Sequence, residues 1–173
     1  MHAVIEKAKL IKLLAMDVDG VLTDGSLYFG NSGEEIKAFS ILDGLGIKLV
    51  REAGIRPAII TGRSSQLLAR RAAELKIDLI YQGREDKLVA LTELRSDLGL
   101  ELSEIAYVGD DLPDLSAIVA AGLGITVANG HSFVARHADW QTDARGGQGA
   151  IREVCELLLK AQGKLNAAWE QFL

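Results

Sequence analysis

The sequence predicts an α/β protein with a Rossmann-like parallel sheet, helices on both faces and a β-hairpin flap after the first strand. Short apolar runs alternate along the chain with segments whose apolar residues recur at helical spacing. Alternating strands and helices give a parallel sheet, because each crossover helix covers one face of it. Only the connection after the first strand departs from this alternation, and it has the pattern of a hairpin.

Each predicted element follows from a local pattern. The apolar runs that predict buried strands are Ile11–Met16, Pro57–Ile60, Leu79–Tyr81, Ile105–Val108 and Gly124–Val127. The helical patterns between them are Gly44–Ala53, Ser64–Leu75, Lys87–Leu98 and Leu112–Ala121. Gly54 and Gly99 stand where helix C-termini need a left-handed residue, and Ser64 is a suitable N-cap.

Residues 23–39 are predicted to form the flap. Two short stretches, Ser26–Phe29 and Glu35–Phe39, flank the turn residues Gly30-Asn31-Ser32-Gly33. At 173 residues the chain is expected to be one domain, residues 1–173, which ends in a helix through about Gln162 and a tail, residues 163–173.

Composition argues against a nucleic-acid-binding protein and against a membrane protein. A formal net charge of −5 argues against a nucleic-acid-binding protein, which is normally basic. The longest apolar stretch, Leu115–Ala128, is too short and interrupted to span a bilayer, so no membrane association is expected. The single cysteine, Cys155, allows no intrachain disulfide, which suits a reducing compartment. We therefore expect a cytoplasmic protein.

Two carboxylates, Asp17 and Asp19, follow the first predicted strand directly. Side chains alternate faces along a strand, so these two begin on the same side of the sheet. Like charges so close are unfavourable unless a cation or a shared proton relieves them. The pattern therefore favours a metal site or carboxylate chemistry, with a polar Asp-Gly turn as the simpler alternative.

Polar residues also follow two other predicted strands. Thr61-Gly62-Arg63 comes after the second and Gly109-Asp110-Asp111 after the Ile105–Val108 strand, with Lys87 at a helix start between them. Ligands of open parallel sheets bind beyond the carboxyl ends of the strands. Aspartates that can act as nucleophile and as Mg²⁺ ligands, with Thr, amide and Lys donors for phosphate oxygens, predict a phosphoryl-transfer site.

With these residues identified, the chain resembles the haloacid dehalogenase superfamily of aspartate-nucleophile phosphatases. The matching segments are Asp17–Thr23, Ile60–Arg63, Lys87 and Gly109–Asp114. Dehalogenases of the superfamily lack the second aspartate of the first motif, so Asp19 points to phosphate chemistry.

A narrower resemblance, over about residues 8–165, is to the capless family of 3-deoxy-D-manno-octulosonate 8-phosphate phosphatases. It rests on the hairpin and on the segments Phe39–Ile47, Gly146–Glu153 and Leu158–Lys164. The resemblance implies hydrolysis of that sugar-acid phosphate on the route to the lipopolysaccharide inner core. It also implies a homotetramer in which the hairpins meet centrally and neighbouring subunits complete the active sites.

The resemblance assigns roles residue by residue. Asp17 is the implied nucleophile and Mg²⁺ ligand, and Asp19 the implied general acid and base, with its backbone carbonyl on the metal. The remaining implied metal ligand is Asp110, the supporting carboxylates are Asp111 and Asp114, and Thr61 and Lys87 hold the phosphate. The implied substrate-binding residues are Asp19, Ser40, Ile41, Leu42, Asp43, Gly44, Lys48, Gly62, Arg63, Arg71 and Lys87.

Three alternatives remain open at this point. The same chemistry can act on a nine-carbon sugar-acid phosphate of the sialic-acid type, because related domains share the hairpin and all four motifs. A catalytically idle oligomeric binding module is the alternative from another class, although an idle site has no need of paired carboxylates. Arg71 can also be a solvated helix charge that contacts no substrate.

Overall fold

The computed structural model describes residues 1–173 and contains a six-stranded sheet in the order β5-β4-β1-β6-β7-β8. The strands are β1 Leu13–Met16, β2 Tyr28–Phe29, β3 Glu35–Ile36, β4 Arg56–Ile60, β5 Leu79–Tyr81, β6 Ile105–Gly109, β7 Leu123–Thr126 and β8 Trp140–Gln141. The helices are α1 His2–Ala8, α2 Ile41–Glu52, α3 Gln66–Leu75, α4 Lys87–Leu98, α5 Leu115–Ala120, α6 Ser132–Ala135, α7 Ala150–Ala161 and α8 Leu165–Glu170. Strands β2 and β3 form a separate two-stranded sheet.

The predicted α/β architecture is confirmed. Every neighbouring pair in the large sheet is parallel, and β1 lies in the interior between β4 and β6. Strand β8 was missed because Trp140–Gln141 is only two residues long and has no apolar run around it. The predicted helix Leu112–Ala121 begins instead as a 3₁₀ turn, Leu112–Asp114, which continues into α5.

Apolar side chains on the two faces of the sheet form two separate cores. Along β1, Leu14 and Met16 join the core under α1, α2, α3 and α7, whereas Leu13 and Ala15 join the core under α4, α5 and α6. This alternation is the period of two that any strand imposes. Because both faces are covered, the polar residues that follow the strands lie beyond the carboxyl ends of the strands, where the sheet is open to solvent.

The predicted helix ends are partly confirmed. Gly54 and Gly99 both have left-handed backbones, with φ of 91° and 63°. The N-cap prediction was wrong by one residue, because α3 begins at Gln66 and its N-cap is Ser65. The Ser65 amide donates a hydrogen bond to the Gln82 side chain at 2.7 Å, a contact with a distant loop that no local pattern indicates.

The predicted hairpin is confirmed, with shorter strands than expected. Tyr28 pairs with Ile36 and Phe29 with Glu35, and the Gly30 amide closes the turn on the Glu34 carbonyl at 2.8 Å. A two-stranded ribbon without a packed face is marginal by itself. Contacts from Glu35 and from Lys37, which follows β3, to Asp19 and Arg63 at the carboxyl ends of β1 and β4 therefore matter for the position of the ribbon.

Residues 163–173 contain the short helix α8. Lys164 fastens its start to the end of α2, because its ammonium donates hydrogen bonds to the Ala53 carbonyl at 2.8 Å and to Gln162 Oε1 at 2.9 Å. None of the helices has the length and apolar character needed to cross a membrane.

Candidate active site

The carboxyl ends of β1 and β4 meet the N-terminus of α4 in an open cleft of about 520 Å³. Asp17 directly follows β1, and its amide continues the sheet by donating a hydrogen bond to the Val108 carbonyl at 2.9 Å. The residues that line the cleft are Asp17, Asp19, Thr61, Gly62, Arg63, Glu85, Lys87 and Pro113. Six of the eight are residues that the sequence predicted as functional.

Lys87 is the buried cation of this cleft. Only 3% of its side chain is exposed, and its ammonium lies 2.8 Å from Asp17 Oδ1 and 3.2 Å from Asp114 Oδ1. It also donates a hydrogen bond to the Ile60 carbonyl at 2.8 Å. A buried ammonium is tolerated only when its donors are satisfied in this way. The cation is therefore fixed between the ends of β1, β4 and α5.

Asp114 organises the loop after β6. Its carboxylate accepts hydrogen bonds from the Tyr107 hydroxyl at 2.8 Å and from the backbone amides of Asp110 and Asp111 at 3.1 and 3.4 Å. Asp111 in turn caps the 3₁₀ turn that contains Asp114. This buried carboxylate thus sets the path of the backbone that presents Asp110.

A cluster of three carboxylates occupies this corner. Oxygens of Asp17, Asp110 and Asp114 lie within 4.8 Å of one another. Asp110 approaches because Gly20 has no side chain; a Cβ atom there would overlap the Asp110 carboxylate. Such hard oxygen donors, with no sulfur or imidazole among them, are the chemistry that Mg²⁺ selects. The residues present therefore fit a magnesium ion, which Asp17 and Asp110 would hold.

Mutual repulsion and burial raise the pKa values of two carboxyl groups in this cluster, Asp17 and Asp110. Burial, and then the charge of Asp114, raise the pKa of Asp17 to about 6, against the opposing effect of Lys87. Burial, Asp114 and Asp17 together raise the pKa of Asp110 to about 7. The site therefore favours protons, or a divalent cation in their place, over a bare set of anions.

The raised pKa values give the metal-free protein a pH-dependent stability. When the pKa of a carboxyl group is higher in the folded than in the unfolded protein, the free energy of unfolding falls as the pH rises, here from about 4 through about 7. We expect Asp110→Asn to remove the part of this loss that Asp110 contributes and to stabilise the metal-free protein at pH 8 by about 2 kcal/mol, a figure discounted for partial exposure. Denaturant unfolding at pH 5 and pH 8 in chelator measures it.

The same carboxyl groups should make the affinity of the protein for Mg²⁺ depend on pH. Because bound metal replaces protons, wild-type affinity for Mg²⁺ should rise between pH 5 and pH 8, and Mg²⁺ should stabilise the wild type but not Asp110→Asn. The exposed Asp78→Asn is the matched control and should behave as wild type. Equal stabilisation of Asp110→Asn by Mg²⁺ would contradict the assignment of this cluster.

The Asp19 carboxylate is not part of the three-carboxylate cluster. Its carboxylate pairs with Lys37 of the flap, and Arg63 Nε lies 3.7 Å from its Oδ2. Glu35 joins the same group, 3.5 Å from Lys37 and 3.1 Å from Arg63. Lys37 was not predicted as a functional residue, because nothing local distinguishes it from a solvated lysine. The structure buries its side chain to 2% exposure.

Comparison with known proteins reaches the same chemistry. Residues 77–153 match the family model of the haloacid dehalogenase-like hydrolases. The chain is 49% identical over 165 residues to 3-deoxy-D-manno-octulosonate 8-phosphate phosphatase KdsC of Escherichia coli K12, covering 95% of this chain and 88% of that protein. The chain belongs to the 3-deoxy-D-manno-octulosonate 8-phosphate phosphatase family.

Solved structures of the family superpose closely on this fold. The Moraxella catarrhalis phosphatase, in complex with magnesium, phosphate and KDO, has a TM-score of 0.99 at 52% identity, and the match covers 100% of this chain and 99% of that one. The cobalt-bound Haemophilus influenzae phosphatase has a TM-score of 0.90 at 42% identity, covering 93% and 94% of the two chains. Metal-bound members of the family therefore share the backbone that carries the carboxylate cluster.

The segment expected from the family resemblance to bind sugar lies outside the cleft. Ile41 and Leu42 are 81% and 55% exposed, and Lys48 is exposed as well. Ser40 caps α2, and its carbonyl accepts a 3.4 Å hydrogen bond from Arg71, whose guanidinium also packs against Gly44. Within this chain, the structure does not bring these residues to Asp17 and Lys87.

Asp43 is buried within its own chain against the start of α7. It is 1% exposed, and its carboxylate accepts hydrogen bonds from the amides of Arg152 at 2.8 Å and Gly149 at 3.4 Å. It therefore caps the N-terminus of α7, where the helix dipole favours a negative charge. A carboxylate so engaged orients the family's Gly-rich segment before α7 and does not face the cleft.

The Gly-rich segment packs against residues 20–24, which follow Asp17 and Asp19. The Gly147 amide donates a hydrogen bond to the Val21 carbonyl at 2.9 Å, and the Gly146 amide donates one to Asn129 Oδ1 at 2.9 Å. A Cβ atom on Gly146 would overlap the Gly20 carbonyl, and one on Gly147 the backbone of Thr23. Only the packing shows why this segment is rich in glycine.

Proposed function

We propose that this chain, acting as one catalytic domain over residues 1–173, hydrolyses 3-deoxy-D-manno-octulosonate 8-phosphate through an aspartyl-phosphate on Asp17. The observation that carries the proposal is the cleft itself, which combines a nucleophile, an acid, phosphate donors and a metal-binding cluster. The magnesium, phosphate and KDO in the Moraxella catarrhalis structure support this substrate. The product would serve the synthesis of the lipopolysaccharide core.

In the first half of the reaction, a carboxylate oxygen of Asp17 attacks phosphorus. The bond from phosphorus to the sugar oxygen breaks, and Asp19 gives its proton to that departing oxygen. Thr61 and the Gly62 amide hydrogen-bond the transferring phosphoryl oxygens while the Lys87 ammonium offsets their charge. The burial of Lys87 strengthens this effect, because little water screens it.

In the second half, Asp19 removes a proton from water. The water oxygen attacks phosphorus, the bond from phosphorus to Asp17 breaks, and phosphate leaves with the Asp17 carboxylate restored. Asp17, Asp110 and the backbone carbonyl of Asp19 would hold Mg²⁺, which supplies positive charge for the phosphoryl oxygens. Asp111 and Asp114 hold the loop that carries Asp110.

Phosphate release from a panel of esters tests the substrate. The panel holds the eight-carbon and nine-carbon sugar-acid phosphates, a hexose phosphate without a carboxylate, and 4-nitrophenyl phosphate, each with Mg²⁺ or chelator. We expect kcat/KM to favour the eight-carbon acid about 100-fold, or about 2.7 kcal/mol. A preference for the nine-carbon acid would replace the substrate, and no turnover of any ester would favour the binding module.

We further propose a homotetramer in which neighbouring subunits complete the active sites. The flap exposes Leu27, Tyr28, Phe29 and Ile36 by 45–61%, an apolar surface more typical of an interface than of an isolated subunit. The exposed Ile41 and Leu42 do not line the cleft that contains Asp17 and Lys87, and their exposed apolar surface supports contact with a neighbouring chain. Ser40–Gly44, Lys48 and Arg71 would then reach the sugar of the adjacent subunit.

Ile36→Asp tests this assembly. Ile36 is 57% exposed in the single chain, so the change should leave the subunit folded while placing a charge in the proposed interface. We expect light scattering to show a smaller species, with KM for the sugar acid raised about 10-fold or more. Val119→Asp, at a position on α5 that is 61% exposed, is the matched control. An unchanged mass for Ile36→Asp would contradict the flap interface.

We place the enzyme in the cytoplasm as part of the same proposal. Cys155, the one cysteine of the sequence, is buried and free, as is usual for proteins of reducing compartments. Fractionation of cells that produce the native chain would test this, with activity in the cytoplasmic fraction as the expected result. Recovery of the activity with periplasmic markers would overturn it.

A further inference from the structure

The flap contributes a buried charge to the cleft, and the proposed mechanism does not yet use it. Lys37 follows β3 and extends its side chain to the carboxylate of Asp19, with 2% of that side chain exposed. Burying an ammonium costs several kcal/mol unless ionic partners compensate. The burial of a lysine on a marginally stable two-stranded ribbon therefore requires compensating interactions within the cleft.

Lys37 and its three partners form a closed group of four charged side chains. Lys37 contacts Asp19 and lies 3.5 Å from Glu35, while Arg63 lies 3.7 Å from Asp19 and 3.1 Å from Glu35. The two cations approach different oxygens of Asp19, Lys37 at Oδ1 and Arg63 at Oδ2. The carboxylate is thus held from two sides, which restricts rotation of the side chain.

Glu35 completes the group from the flap. Burial acts to raise the pKa of Glu35, but Lys37 and Arg63 outweigh it and hold that pKa below its ordinary value. Glu35 therefore stays anionic and holds both cations in place. Glu35 and Lys37 belong to the flap, whereas Asp19 and Arg63 follow β1 and β4. The ion pairs of the group therefore also hold the flap against the carboxyl ends of these two strands.

We infer that Lys37 is a positioning residue that orients the Asp19 carboxyl group toward the leaving oxygen of the substrate. This inference rests on the proposed role of Asp19 as general acid. Proton transfer requires the acid within hydrogen-bond reach of the departing oxygen, and a small misplacement lowers the rate strongly. Lys37 acts through Asp19 and needs no contact with the substrate.

Leaving-group dependence separates this role from a structural one. A sugar alkoxide is a poor leaving group and requires the proton from Asp19, whereas 4-nitrophenolate leaves without it. We expect Lys37→Met to slow formation of the aspartyl-phosphate from the sugar-acid phosphate about 30-fold or more. The pre-steady-state burst of 4-nitrophenol, which reports the same step for the aryl ester, should change less than about 3-fold.

Four further variants extend the test. Lys37→Arg should recover most of the rate, because it keeps the cation. Asp19→Asn should show the same leaving-group pattern at larger size, and Lys37→Met added to Asp19→Asn should cause little further loss, since the two act as one unit. Lys12→Met removes a paired lysine at the opposite end of β1 and should leave both rates unchanged.

Each outcome has a defined meaning. Equal losses for both esters would overturn the inference, because they would indicate a phosphate contact or general damage to the fold. Full additivity of Lys37→Met and Asp19→Asn would overturn it as well, since independent residues add. Failure of the wild type to hydrolyse either ester would refute the proposed function instead, and this result is distinguishable because it does not depend on Lys37.

Discussion

Asp17→Asn is expected to reduce phosphate release from the sugar-acid phosphate by at least about 10⁴-fold, or about 5.5 kcal/mol of transition-state stabilisation. Asparagine cannot form the acyl phosphate, because its amide nitrogen leaves no carboxylate oxygen to attack phosphorus and then depart from it. The remaining donors, Thr61 and Lys87, still bind phosphate but have no nucleophile to present it to.

The fold of this variant should persist. Burial already raises the pKa of Asp17 to about 6, so a neutral side chain at this position relieves repulsion within the carboxylate cluster. Acid-quenched wild-type protein should carry phosphate that hydroxylamine releases, and Asp17→Asn should carry none. Retention of a tenth of wild-type turnover by a folded Asp17→Asn would contradict the covalent route.

Lys87→Met is expected to affect both stability and turnover. It leaves the buried carboxylates of Asp17 and Asp114 without the cation that lies 2.8 and 3.2 Å from them. Breaking a buried pair in this way typically lowers the free energy of unfolding by about 3–5 kcal/mol. We expect kcat/KM to fall about 10³-fold, because the developing charge on the phosphoryl oxygens loses its nearest cation.

A second substitution distinguishes the two effects. In Lys87→Met/Asp114→Asn one of the stranded charges is removed, so denaturant unfolding should show part of the stability restored. Turnover should remain low, because the cation is still missing. Lys160→Met, which removes an exposed lysine from α7, is a suitable control. Recovery of activity together with stability would show that Lys87 acts on the fold alone and would refute its contact with phosphate.

Local patterns were sufficient for the architecture and for the order of the motifs. The apolar runs and helical periods predicted β1, β4, β5, β6 and β7 within a few residues, because burial on a sheet face imposes its period on the sequence directly. The aspartates, the threonine and the lysine of the cleft were predictable for a related reason. Each follows or begins one element, and the parallel topology brings those ends together.

The contacts that sequence analysis did not predict all join distant parts of the chain. Lys37 meets Asp19 across 18 residues, and Asp43 caps a helix 109 residues further on. A lysine in a hairpin and an aspartate in a first helical turn each have an ordinary local explanation. Nothing in their neighbours along the chain indicates which partner will lie opposite them.

The sequence by itself therefore determined the fold class, the chemistry and the family, because all three are encoded in short segments whose order is sufficient. Tertiary structure alone decided how the site is held. It placed Lys87 between Asp17 and Asp114, hydrogen-bonded Asp43 to the start of α7, and joined the flap to Asp19 through Lys37. The physical reason is that the free energy of a buried charge depends on all its neighbours in space, and no local pattern specifies them.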